Sequence, residues 1–224
     1  MRRFFLAAAA LFVAVTAHAQ LLDFEGMPPY KLGITAGANM SSFSAPRQEY
    51  AYGVQAGADL IVSASSIIPS TYGRVQLKYS MKGSKGPEEW VDRVYLEDGQ
   101  YKDRYQYTNY RVHYLEIPIH YGYGWRMDDD WTFTGETGPY LAIGLAGTAS
   151  EHKPTDTYAY AVTNRSFFKY YDASRFDFGW GVQLGVLYGQ SYMLNVSYDW
   201  GFKNLTPGLL QNNNLSVGLT YFIE

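Results

Sequence analysis

Glu116 and His120 stand four residues apart in the run Tyr114-Leu115-Glu116-Ile117-Pro118-Ile119-His120. In an extended chain that spacing puts a carboxylate and an imidazole on one face, the pairing that acid–base chemistry or a metal site employs. A metal would want a third ligand, and Glu136 in the neighbouring segment is the obvious candidate. An internal hydrogen-bonded pair needs no further ligand and is the simpler reading. Gly179-x-Gly181-x-x-x-Gly185 approaches a dinucleotide-binding loop, but its spacing is wrong and no helix follows to present amides to phosphate. A lipid-modifying enzyme would need a serine, a histidine and an acid near one rim. His113 and His152 fall in suitable places, yet neither has a serine in a recognisable motif beside it. The expectation is no enzyme: no catalytic residue, cofactor site or metal site.

The glycines belong to a different pattern. In the run 176–186, Phe176, Phe178, Trp180, Val182, Leu184 and Val186 alternate with Asp177, Gly179, Gly181, Gln183 and Gly185. Strands turn successive side chains to opposite faces, so one face is hydrocarbon and the other small and polar. Seven more segments alternate likewise, beginning near Leu32, Tyr52, Arg74, Leu115, Trp131, Tyr192 and Leu215. The fifth, from Trp131 to Leu145, is less greasy at its centre and contains Pro139, which removes a ladder donor. Eight such segments predict an all-β fold, an up-and-down antiparallel transmembrane barrel of eight strands.

Connection lengths fit that topology. Gaps at 63–71, 126–130 and 189–191 are short, while those at 41–51, 83–109, 147–174 and 203–213 are long. Short periplasmic turns alternate with long outer loops in such barrels, which predicts both termini in the periplasm. Trp125, Trp131, Tyr188, Tyr192 and Tyr221 then flank the turns, and Tyr52, Phe176, Trp200 and Phe202 flank the loops. Amphipathic rings collect at those two headgroup levels.

A soluble barrel would invert the faces and carry many long charged side chains outside. Here the polar face is mostly glycine, serine, threonine and asparagine, which suits the narrow interior of eight strands. The charges on it have both signs: Asp59, Glu116, Glu136, Asp177 and Asp199 against Arg74, Lys78 and a candidate third cation, Lys31. Buried charges must be paired. A structural lumen network of Asp59, Arg74, Lys78, Glu116, His120, Glu136, Asp177 and Asp199 is therefore expected, filling the lumen rather than conducting.

Arg2 and Arg3, the apolar stretch 4–15 and Ala17-His18-Ala19 read as a secretory signal peptide over 1–19. A short periplasmic segment (20–30) and the barrel (31–224) follow. Losing the two arginines takes the formal charge from −3 to −3 − 2 = −5, a diffuse acidity that gives no reason to expect nucleic-acid binding. With no cysteine, disulfides, a lipidated N-terminal cysteine and thiolate metal sites are excluded.

The segments Gly33-Ile34-Thr35-Ala36-Gly37-Ala38-Asn39-Met40, Tyr114-Leu115-Glu116-Ile117-Pro118, Gly138-Pro139-Tyr140-Leu141, Arg175-Phe176-Asp177-Phe178-Gly179 and the stretch 198–204 resemble the outer-membrane β-barrel family that includes PorT-type proteins. The resemblance spans essentially the whole mature chain. It implies a small outer-membrane barrel of Gram-negative type, with one branch linked to protein export, and it supplies no catalytic residues. The end of the chain resembles the signal read by barrel-assembly machinery, carried by Ser216, Gly218, Tyr221 and Ile223, with Glu224 trailing. The partners expected are outer-membrane lipid, that machinery, and a protein met by loops 83–109 and 147–174. Those loops hold many tyrosines, which suit recognition; the other reading is that they extend the strands and pack over the lumen. The expected role is structural or partner-docking, with a narrow porin-like channel second and a lipid-modifying enzyme third.

Overall fold

The computed structural model describes residues 30–45, 47–63, 70–95, 100–128, 130–155, 160–206 and 211–223. The signal peptide expected at 1–19 and the segment expected at 20–30, except Tyr30, which opens the first strand, lie outside them, as does Glu224. Among the described residues ten strands form: β1 (Tyr30–Phe43), β2 (Glu49–Ser63), β3 (Thr71–Lys85), β4 (Glu89–Tyr95), β5 (Tyr101–Arg126), β6 (Trp131–Pro154), β7 (Tyr160–Ser166), β8 (Phe176–Tyr188), β9 (Tyr192–Gly201) and β10 (Asn212–Ile223). A four-residue helix, α1 (Phe167–Tyr170), follows β7.

Eight of the strands close a ring in the order β1-β2-β3-β5-β6-β8-β9-β10, each antiparallel to its neighbours. Closure is made by β1 on β10, in register from Leu32↔Ile223 to Phe43↔Asn212. The alternation predicted from sequence sets the faces. Leu32, Ile34, Val54, Leu77, Phe178, Leu184, Leu194, Val217 and Leu219 are exposed on the outside, while Thr35, Gln55, Gln76, Asp177 and Thr220 are buried within. An apolar exterior around a polar interior inverts a soluble barrel, as a bilayer requires. The 13 residues of β8 rise about 3.3 Å each and tilt about 40°, which spans roughly 30 Å of membrane. Rings gather at its short-turn end, where Trp131 meets Tyr188 at 4.6 Å and Tyr192 meets Tyr221 at 5.2 Å between centroids.

The turn between β8 and β9 is tight: Ser191 N–H donates to the Tyr188 carbonyl (3.2 Å), and Gly189 and Gln190 between them both adopt positive φ (54° and 62°), the type I′ conformation that follows the twist of the strands. Between β5 and β6 the Asp128 carboxylate accepts from the amides of Asp130 (2.9 Å) and Trp131 (2.8 Å).

At the opposite end three of the four expected loops prove to be largely strand, the connection expected at 203–213 being the exception. The connection expected at 41–51 shrinks, because β1 runs to Phe43 and β2 starts at Glu49. Within 83–109, β3 continues to Lys85, β4 forms, and β5 begins at Tyr101. Within 147–174, β6 continues to Pro154, and β7 and α1 form. At 26 and 24 residues, β5 and β6 are more than twice the roughly 9–11 residues that cross a bilayer. Beyond the ring they stay paired up to Tyr107↔His152, with β4 on the free side of β5 and β7 on that of β6. The result is a four-stranded blade, β4-β5-β6-β7, standing above one side of the barrel wall.

Candidate functional site: the filled lumen and the outer blade

The lumen is built by the inward positions of the ring strands. Arg74 on β3 is its centre: Nε and Nη2 donate to the two Asp59 oxygens at 2.7 Å each, and Nη1 donates to Glu136 Oε1 at 3.1 Å. Gln76 also donates to Asp59 (2.7 Å), while Tyr72 (2.8 Å) and Gln183 (2.9 Å) donate to Glu136. Asp59, Arg74 and Glu136 are thus joined across β2, β3 and β6, with the side chains of Arg74 and Asp59 0% exposed.

The second group lies nearer the long-connection end. Glu116 on β5 receives Lys78 (3.6 Å) and, closer still, Lys82. The Lys82 ammonium lies 5.0 Å from the centre of the Tyr140 ring, whose hydroxyl donates to Asp177 at 3.4 Å. Asn212 also donates to Asp177 (3.4 Å), and Asn214 donates to Asp199 (3.2 Å). Lys82 is absent from the sequence-derived network although it continues the phase of Arg74, Gln76 and Lys78. The alternation carried one step past Met81 would have found it.

Two expectations are corrected. Glu116 and His120 do share a face, but at about 13 Å apart along the strand they do not pair. Register sets His120 opposite Arg74, where its Nδ1 lies 3.7 Å from Glu136, and sets Glu116 opposite Lys78. Among the described residues no group of three or more potential ligands could hold a metal. Lys31 is not in the lumen network; its ammonium donates to the Gln190 carbonyl at the short-turn rim (2.7 Å).

The lumen is also less uniformly polar than its sequence phase suggests. Phe43, Val112, Tyr114, Tyr140, Ala142 and Leu205, with Phe167 and Phe168 from α1, form a buried apolar cluster at the long-connection end. Leu187, Met193 and Phe222, against Ile61, form a smaller one at the other. The α1 rings seat where side chains are missing: a Cβ on Gly144 would run into the Phe168 ring, and one on Gly147 would lie 2.9 Å from Phe167 Cβ. Buried apolar clusters therefore lie at both ends of the ion-paired column.

The residues expected to carry the assembly signal occupy β10. Ser216 shares a 2.6 Å hydrogen bond with Ser197 inside the lumen, and Gly218 lies opposite Gly37 and Asn195. Tyr221 and Ile223 face outward. Among the described residues neither His113 nor His152 is hydrogen-bonded to a serine, although Ser150 shares the outward face of β6 with His152. His113 Nδ1 meets the Tyr79 hydroxyl at 2.6 Å, and His152 stacks on Tyr107 at 4.4 Å.

A closed eight-stranded ring, greasy outside and ion-paired inside, defines an integral outer-membrane barrel. The chain belongs to the outer membrane protein beta-barrel domain family, whose family model matches residues 24–206. It is an outer-membrane β-barrel protein of a bacterium. No curated protein gives a significant match. Among solved structures the chain is similar to Ail, the attachment invasion locus protein of Yersinia pestis, in complex with the heparin analogue sucrose octasulfate, at 9% identity over 88% of this chain and 100% of that one, TM-score 0.41. It is also similar to Neisserial surface protein A, at 13% identity over 88% of this chain and 99% of that one, TM-score 0.44. The translocator domain of the autotransporter NalP from Neisseria meningitidis is a further likeness, at 11% identity over 98% of this chain and 97% of that one, TM-score 0.29.

Proposed function

We propose that this is a non-enzymatic outer-membrane protein whose lumen is a structural plug and whose blade docks a partner protein outside the cell. In this reading both termini are periplasmic, residues 1–19 are a cleaved leader, and Ser216, Gly218, Tyr221 and Ile223 present the last strand to the assembly machinery. The PorT-like resemblance adds a link to protein export as the setting in which such docking would be used. The observation that carries the proposal is the blade itself. Trp90, Tyr95 and Tyr101 stand well exposed on a sheet that the barrel does not need for closure, and aromatic anchors of this kind give contact area at low entropic cost. The lumen filled by buried ion pairs and apolar clusters speaks against the narrow channel, and the engagement of His113 by Tyr79 and of His152 by Tyr107 speaks against the lipid-modifying enzyme.

Crosslinking in intact cells, followed by identification of the bound proteins, tests the docking role. A partner captured by the whole chain and lost when 89–105 is replaced by a short turn supports it. Absence of any partner, together with steady single-channel steps in a planar bilayer, would replace it with the channel.

A further inference from the structure

The outward face of the blade changes chemistry with height. Along β5 the outward positions run Leu115, His113, Arg111, Asn109, Tyr107, and register extends each level sideways onto β6 and β7. Leu115 lies in the hydrocarbon belt with Ile143 beside it. One level up, His113 and Tyr79 are engaged with each other. At the next, Arg111 is exposed, faces Gly83 on one side and Thr148 on the other, and among the described residues has no ion-pair partner. Above it come Asn109 and Ser150, whose hydroxyl reaches Asn164 (2.7 Å). Higher still, Tyr107 stacks on His152 and meets Tyr160 edge-on at 5.8 Å.

The opposite face of the same strands is otherwise engaged. Tyr110 packs on Phe167 (5.9 Å), and Arg165 bonds Glu151 (3.1 Å) and covers the Tyr170 ring (4.3 Å). The unoccupied side is therefore the one continuous with the lipid-facing wall. On that side the Asp103 carboxylate is engaged by Arg93 (2.7 Å), and Glu49 stands opposite Lys85 on the neighbouring strands.

We infer that this outward face of the blade, centred on Arg111, is a docking surface for the phosphorylated glycolipid of the outer leaflet. The order of chemistry up the wall is that of the ligand: hydrocarbon for acyl chains, a guanidinium for phosphate, hydroxyls and amides for sugar hydroxyls, then aromatic faces for sugar rings. Arginine suits phosphate because its planar fork makes paired, charge-assisted hydrogen bonds. The blade rises only from β5 and β6, so the glycolipid would be held on one side of the barrel. The inference rests on the long-connection end facing outward, as proposed above.

The test uses the full chain folded in detergent, with folding verified by a gel shift on boiling, and titrates it with fluorescent deep-rough lipopolysaccharide read by anisotropy. Wild type should bind saturably, and phosphatidylglycerol at equal charge should fail to displace it. Arg111→Glu should weaken binding about tenfold or more while leaving the gel shift intact, and Tyr160→Ala should weaken it several-fold. Equal binding by Arg111→Glu, or displacement by phosphatidylglycerol as readily as by unlabelled lipopolysaccharide, overturns the inference and leaves the barrel reading standing. Loss of the gel shift in wild type would overturn both. Protein crosslinking that persists in Arg111→Glu cells separates this surface from the proposed protein partner.

Discussion

A single strand, β5, passes through two regions that treat charge in opposite ways. In the ring its inward Glu116 meets Lys78 and Lys82 with almost no exposure. In the blade its Asp103 meets Arg93 with side chains 25% and 43% exposed. Both are ion pairs in good contact, but only the first is sealed from water. A sealed pair is costly to break, because the partner left behind is a charge without solvent. An exposed pair is replaced by water and contributes little. The lumen's charges therefore hold the barrel closed, and the blade's charges shape a surface.

The largest effect follows from removing Glu116. Glu116→Leu leaves the Lys78 and Lys82 ammonium groups without their nearest carboxylate, and Lys82 is fully buried. A loss of about 3–5 kcal/mol is expected for breaking one side of a buried pair, read from urea unfolding of the chain folded into lipid vesicles. Adding Lys82→Met should recover part of it, since the stranded charge is then gone. Unchanged stability in Glu116→Leu would mean that water reaches Lys82 and that lumen and blade do not differ as argued.

A middle-sized effect is expected where the two regions meet. Gly144→Val places side-chain atoms where the Phe168 ring sits, so α1 must lift from the mouth. Overpacking of this kind costs about 1–3 kcal/mol. The clearer readout is cleavage by chymotrypsin after Phe168, which should be slow in wild type and fast in the variant, with the ring strands still protected. Equal cleavage in both would show that α1 is not seated in the mouth.

The ring was readable from sequence because each of its strands is half in lipid and half in a polar lumen, which writes a two-residue period into the chain. Phe176 to Val186 shows it without interruption, and the structure keeps that phase. The blade was legible only as one of two open readings, extension of the strands beyond the membrane, since with solvent near both faces Tyr101 to Tyr110 needs no sustained hydrophobic alternation. Its density of tyrosine, a residue that favours strands, was the remaining hint. The lumen partners were half legible. Alternation assigns Glu116, His120 and Arg74 to the inside, but which of them touch depends on register between strands, and that is set by closure of the whole ring. The apolar clusters escaped for a related reason: Val112, Tyr114, Met193 and Phe222 sit in the inward phase, where apolar residues serve only at the two ends.

The smallest effect tests the blade alone. Hydrogen bonds from Arg104 and Arg93 hold the Asp92 and Asp103 carboxyls below the usual carboxylate range. A carboxyl whose pKa is lowered by folding contributes order that is complete above its unfolded value, about 3.9, and is lost as pH falls through the lowered value. The β4–β5 hairpin should therefore be indifferent to pH from neutrality down to about 5 and loosen only below about 4. Trp90 reports on it directly, since its indole donates to Asp103 Oδ1 at 3.3 Å. The fluorescence difference between wild type and Trp90→Phe should change only in that acid window, and Arg93→Gln should move the change toward higher pH. Asp103→Asn should leave the urea midpoint of the barrel where it is, because the pair it breaks is open to water. A midpoint shifted by Asp103→Asn, or a fluorescence change centred above pH 5, would mean that the blade's charges help hold the barrel closed, and the contrast between the two regions would fail.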